Sequence, residues 1–166
     1  MELPLTALIT GINSGCTGVL YQRCPMFKTS FIVEGTPVAK GRPKFRRINN
    51  FVSVYTPAKT RAYENEVGSI AKVAMGDQEP LETPVVVCVY ISMAVPASFS
   101  KKRRQDCLDK IERPLKKPDI DNVAKAITDA MNGIVYQDDC QIVSLHVTKV
   151  YAIESSVSVF ISEELP

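Results

Sequence analysis

The chain has 166 residues, 45% of them hydrophobic and 23% charged, enough for one sizeable core and without the composition of a disordered or two-domain protein. Its 20 basic and 18 acidic residues nearly cancel, but they are segregated: Gly35 to Arg61 carries seven cations and no acid, and Lys101 to Lys117 carries eight cations against three acids. No apolar stretch reaches the length of a membrane span, and five cysteines without a C-x-x-C pairing point away from a disulfide framework or zinc knuckle and toward a cytoplasmic protein.

The first 25 residues carry Glu2 where a signal peptide needs a basic region and are broken by Gly11, Gly15 and Gly18. They read as an extension outside the core, which leaves residues 26–166 as the folded domain. Phe27 to Glu34 alternates as a strand and is stopped by Gly35-Thr36-Pro37. A basic loop follows. It holds Lys40, Arg42, Lys44, Arg46 and Arg47 with Phe45, Phe51 and Tyr55 among them, and Gly41, Pro43 and Asn49-Asn50 argue against a long regular element. Cations and rings interleaved in this way suit phosphate contact and base stacking, although the rings would serve equally as anchors to the core.

Thr56-Pro57 marks a helix start, a hydroxyl cap before a proline, and Tyr63, Val67, Ile70, Ala71 and Ala74 follow at helical spacing up to Gly76. Pro84 to Val95 is apolar on both alternating faces, as a covered central strand is, with Cys88 as a small buried hydrophobe. The second basic segment reads as a long loop from 97 to 117 and offers Lys101, Lys102, Arg103, Arg104, Lys116 and Lys117 to a phosphate backbone.

Next comes KKPDIDN. Asp119 and Asp121, two apart in an extended segment, would present their carboxylates together while Ile120 faces the core. Asp121 would also cap a helix with Val123, Ile127, Ala130 and Met131 inward, ending at Gly133. The opposite face carries Asp121, Lys125 and Asp129 at four-residue intervals. After Ile134 to Tyr136 and a turn at Gln137-Asp138, a strand follows with Val143, Leu145 and Val147 inward and Ser144, His146 and Thr148 outward. His146, the single histidine, reads as a surface residue. Val157, Val159 and Ile161 define the last strand.

Asp119, Asp121 and one of Asp138 and Asp139 would make a carboxylate set for Mg²⁺, a hard cation that takes oxygen ligands, keeps several waters and is completed by substrate phosphate. Beside two cationic segments that set suits phosphodiester hydrolysis, with Lys125 offsetting charge that develops on the phosphate. The plainer alternative makes each aspartate a cap or turn residue and the protein a nucleic-acid binder without activity. There is no G-x-x-x-x-G-K-[ST], so no nucleotide cofactor is expected, and the residues after D-x-D-N are wrong for an EF-hand.

The string KPDIDNVAKAITDAMNGIVYQDDCQI resembles the RusA family of Holliday junction resolvases, and FIVEGTPVAKGRP and YTPAKTRAYE extend the likeness from about Phe27 to Phe160. The resemblance implies an α/β (α+β) fold, with a small mixed sheet of about four strands packed with two main helices. It implies a homodimer and an Mg²⁺-dependent endonuclease, with Mn²⁺ as a possible substitute, that nicks four-way branched DNA. It also assigns the catalytic and metal-holding carboxylates to Asp119, Asp121 and Asp139 and the active-site lysine to Lys125. Flaps or other branched substrates would call on the same chemistry. The family is frequent on phages and prophages.

Overall fold

A computed structural model describes residues 27–42, 44–48 and 51–164, the side chains of residues 44, 46–48 and 51–54 excepted. The extension before Met26 lies outside the described residues. Strands β1 (Thr29–Glu34), β4 (Val85–Ala94), β5 (Ile142–Ala152) and β6 (Ser156–Glu163) form one mixed sheet in the order β1-β6-β4-β5. β6 runs antiparallel to both β1 and β4, whereas β4 and β5 are parallel. The register brings Phe31 beside Val159, Val33 beside Val157, Val87 beside Ile161 and Val89 beside Val159, so valine and isoleucine fill one face of the sheet. Fully burying each of these side chains stabilises the fold by roughly 1.5–3 kcal/mol.

Helices α1 (Ala58–Met75) and α3 (Ile120–Met131) cover that face. α1 buries Tyr63, Val67, Ala71 and Met75, and α3 buries Val123, Ile127 and Met131, at the helical spacing the sequence carries. The two helices meet at Gly68. A Cβ there would lie 3.2 Å from the Ala130 carbonyl and 3.3 Å from Ile134 Cδ1, so a side chain would push α3 off α1. The α1 cap is shifted by one from expectation: Pro57 itself occupies the N-cap and no side chain bonds the first turn. Gly133, at φ 72, turns the chain out of α3.

Two segments expected to be loops are regular. β2 (Lys44–Ile48) and β3 (Phe51–Tyr55) pair antiparallel as a two-stranded sheet of their own, from Lys44 opposite Tyr55 to Ile48 opposite Phe51. Each strand has five residues, so no long element forms here, as expected, but the segment is regular rather than a loop. The second basic segment contains α2 (Lys101–Leu108), whose N-cap Ser100 accepts a hydrogen bond from the Arg103 amide. Only Cys107 of this helix is buried, so it has almost no apolar periodicity to detect. The helix is pinned through its charges: Arg103 Nε lies 2.9 Å from Glu112 Oε2, and its guanidinium sits 3.7 Å over the Phe99 ring.

β5 is an edge strand. Leu145 and Val147 do lie on the helix-covered side, beside Val87 and Val89, whereas the register shifts between Val85 and Val86 and leaves Val143 without a partner on β4. The expected burial fails at Val143, 54% exposed, and Leu145, 43% exposed, while Val147 is half-buried against the core. Cys88 is buried and His146 exposed, its Nε2 3.0 Å from Ser144 Oγ. No described helix is long and apolar enough to cross a membrane.

Candidate active site

The gap between α3 and the open end of β5 is a slot of about 350 Å³. Its walls are apolar: Ile120 and Ala124 from α3, Leu145 and Val147 from β5. Asp121 and Lys125, one helical turn apart on the same face, supply its charged groups. Both side chains are exposed, so a ligand at the slot meets an anion and a cation together.

The approach to α3 differs from the expected extended segment. The helix begins at Ile120, with Asp119 at the N-cap and Asp121 in the first turn, so the cap lies two residues earlier than the sequence suggests. Ile120 accordingly does not face the core; it is 38% exposed and lines the slot. The Asp119 side chain makes no capping hydrogen bond and is exposed, while its carbonyl accepts from the Val123 amide. The helix N-terminus carries a partial positive charge that favours both carboxylates.

The Lys117-Pro118 peptide just before Asp119 is cis. Lys149, from β5, reaches across to this loop: its Nζ donates to the carbonyls of Lys116 and Pro118, each at 3.0 Å. On the other flank, the Lys40 amide donates to the Asn122 carbonyl at 2.9 Å. The Lys40 ammonium hydrogen-bonds Asp129 and lies 3.2 Å from Glu64 Oε1, off line for a hydrogen bond, and that oxygen has no hydrogen-bond partner among the described residues. Burial opposes the charge on Lys40, but the neighbouring Asp129 and Glu64 carboxylates outweigh it and raise its pKa. Lys40 thus joins the loop after β1 to α1 and α3, and its ammonium is held between two carboxylates.

The aspartate pair after α3 divides its work. Asp138 caps a short 3₁₀ turn, Asp139–Gln141: its Oδ1 accepts from the Cys140 amide at 3.0 Å, and the Gln141 side chain accepts from the Asp138 amide at 2.9 Å. The Cys140 amide, then the Cys140 thiol and the Asp139 carboxyl, hold Asp138 below the usual carboxylate range. Asp139 is the exposed first residue of that turn. Its charge is felt at Tyr136, whose phenol is pushed well above its ordinary range by burial and then by Asp139 and Asp129. The Tyr136 hydroxyl in turn donates to the Thr128 carbonyl at 2.7 Å, and Thr128 lines the slot. The segment bearing Asp139 is therefore clipped to the helix bearing Asp121 and Lys125.

Among the described residues, no three histidine, cysteine, aspartate or glutamate side chains stand close enough to form a ready-made metal cluster. Asp119, Asp121 and Asp139 each offer exposed hard oxygen, the donor chemistry that Mg²⁺ accepts when waters and a substrate phosphate complete its shell. Of the expected DNA contacts, Arg42, Lys101, Lys102, Arg104, Lys116 and Lys117 are exposed. Arg103 is exposed too, but its guanidinium is engaged by Glu112 and Phe99. The side chains of Lys44, Arg46 and Arg47 lie outside the described residues. Lys149 and Tyr136 drew no functional notice in the sequence, since a lysine on a strand and an isolated tyrosine carry no signature. Gln141 did carry one: Asp138 and Gln141 have the spacing of a capping box.

Asp121 and Lys125 thus share one exposed face of α3, on an α+β scaffold that also carries the exposed cations Lys101, Lys102 and Arg104. The chain belongs to the RusA endodeoxyribonuclease family, whose model, described as Endodeoxyribonuclease RusA, matches residues 34–162. It is similar to a Bacillus subtilis (strain 168) protein, YqaN, described as uncharacterized, at 38% identity over 136 residues, which cover 80% of this chain and 94% of that protein. The family makes the protein a DNA-binding nuclease of the kind that acts on branched DNA.

Proposed function

We propose that this protein is a Holliday junction resolvase that nicks four-way DNA with a divalent metal, Mg²⁺ or Mn²⁺, held by Asp119, Asp121 and Asp139. The observation that carries this reading is the slot where Asp121 and Lys125 stand side by side on α3, with Asp139 clipped to the same helix through Tyr136. The metal would polarise the scissile phosphate and lower the pKa of a bound water. Lys125 meets the charge that develops on the phosphate oxygens. The exposed cations of 101–117 and of the first basic segment hold the flanking backbone, and they do so without reading sequence.

Resolving a junction takes two symmetrical nicks, which a two-fold homodimer supplies from two equivalent sites. Val143 and Leu145 on the open edge strand are suited to a second copy of the chain. The reaction belongs to the cytoplasm of a bacterial or phage-infected cell. The test compares a synthetic four-way junction, a flap and a linear duplex in Mg²⁺. The junction should be nicked in preference, and Asp119→Asn should abolish cutting while leaving binding. Equal cutting of flap and junction would reassign the substrate, and undiminished cutting by the variant would refute the site.

A further inference from the structure

The stretch from Arg113 to Pro118 contains two prolines and, among the described residues, takes part in no backbone-to-backbone hydrogen bond. It nevertheless ends at Asp119, so whatever fixes it also fixes where the first carboxylate stands. Lys149 bonds this stretch directly. It sits on the helix-covered side of β5, beside Ile91 in the parallel register, and its ammonium donates to the carbonyls of Lys116 and Pro118. The two acceptors flank Lys117, so a single ammonium clamps the loop on either side of that residue. A cation bonded to carbonyls gives stronger hydrogen bonds than a neutral donor.

We propose that Lys149 is a positioning residue: it locks the 113–118 loop against β5 and so sets the position of Asp119 and, through the first turn of α3, of Asp121. This role rests on the proposed cleavage reaction. It also holds the backbone that carries the exposed side chains of Lys116 and Lys117, which are free to meet a phosphate backbone.

Lys149→Met keeps the aliphatic stem and removes the donors, whereas Lys149→Arg keeps charge and donors. In single-turnover cutting of a four-way junction, Lys149→Met should lower the rate by ~10- to 100-fold, the order of loss that a misplacement of about an ångström causes. It should raise the Mg²⁺ concentration needed for half-maximal rate, leave junction affinity in Ca²⁺ and its salt slope unchanged, and speed amide hydrogen exchange across 115–121. Lys149→Arg should recover most of the rate. A fall in affinity with a salt slope smaller by about 1 would make Lys149 a phosphate contact and overturn the proposal. So would an unchanged rate, or a rate loss accompanied by a matching loss of thermal stability that Lys149→Arg does not repair. Should the wild type cut no DNA, the proposed function fails by itself, and the hydrogen-exchange comparison still decides whether Lys149 holds the loop.

Discussion

Tyr136→Phe tests whether the site is held together by the clip between its two acidic segments. The side chain is completely buried, and its hydroxyl donates to the Thr128 carbonyl at 2.7 Å. Phenylalanine leaves no appreciable void but strands that carbonyl, a loss of about 1–2 kcal/mol. For a chain of this size that lowers the thermal midpoint by about 3–6 °C. Cutting should fall beyond what instability explains, because the segment carrying Asp139 loses its bond to α3, while junction binding persists. A pH signature accompanies it. The folded protein favours the neutral phenol, so Tyr136 stabilises fully below the ordinary tyrosine value of 10.0, and that contribution is lost as pH rises above it toward the higher folded value. Tyr63, pushed up to about 12 by burial and then by Glu66, behaves alike. Chemical denaturation between pH 9 and 11, about one unit either side of the ordinary tyrosine value, should therefore show a shallower alkaline decline in the variant. An unchanged midpoint, an unchanged alkaline slope and full activity would together refute the clip.

The paired aspartates should separate cleanly: Asp139→Asn abolishes junction cutting with little effect on stability, whereas Asp138→Asn, which keeps a good capping side chain, retains cutting. The reverse outcome would exchange their roles. Because the cap lowers the Asp138 pKa, its stabilisation is present above the ordinary value of 3.8 and disappears as pH falls through the lower folded value, which acid titration of Asp138→Ala against wild type would register. Lys40→Met should lower the melting temperature yet leave the salt dependence of DNA binding intact, since its ammonium is engaged by Asp129 and Glu64; a reduced slope would return Lys40 to the phosphate contacts. Replacing Lys116 and Lys117 together by glutamine should reduce the salt slope by about 2, measured by titration of a labelled junction at several ionic strengths.

Strong periodicity was legible in the sequence and weak periodicity was not. α3 shows an inward stripe of Val123, Ile127 and Met131 with Lys125 opposite, and the fold realises both faces. β4, apolar on alternating faces, became an interior strand. α2 escaped notice because a helix of lysine, arginine and glutamine buries only Cys107. Hairpin β2–β3 was obscured because Gly41, Pro43 and Asn49-Asn50 spoke against a regular element more strongly than Phe45 and Phe51-Val52 spoke for strands. The exposure of Val143 and Leu145 was beyond reach for other reasons: the register shift that leaves Val143 unpaired interrupts simple alternation, and alternation tells which side of a sheet Leu145 faces but not whether α3 covers that side there. At the candidate site, residue types and spacing singled out Asp119, Asp121 and Lys125, and the fold places Asp121 and Lys125 on one face of α3. The bonds from Lys149 and Tyr136 to the backbone around them join positions 8 to 33 residues apart and follow no local pattern.

The parallel pairing of β4 with β5 has a consequence for how activity arises. After Ala94 the chain must travel back along the whole sheet before Ile142 can start β5, and Asp119, Asp121, Lys125 and Asp139 all lie within that return. Closing so long an excursion is entropically costly, and non-local parallel pairing forms slowly. The hairpin of β2 and β3, by contrast, needs only its own few residues and carries Lys44, Arg46 and Arg47. A chain emerging from synthesis would therefore pair this hairpin before the carboxylates take their places. On the proposed role of those carboxylates, the capacity to break the strand arrives last, when the sheet is shut.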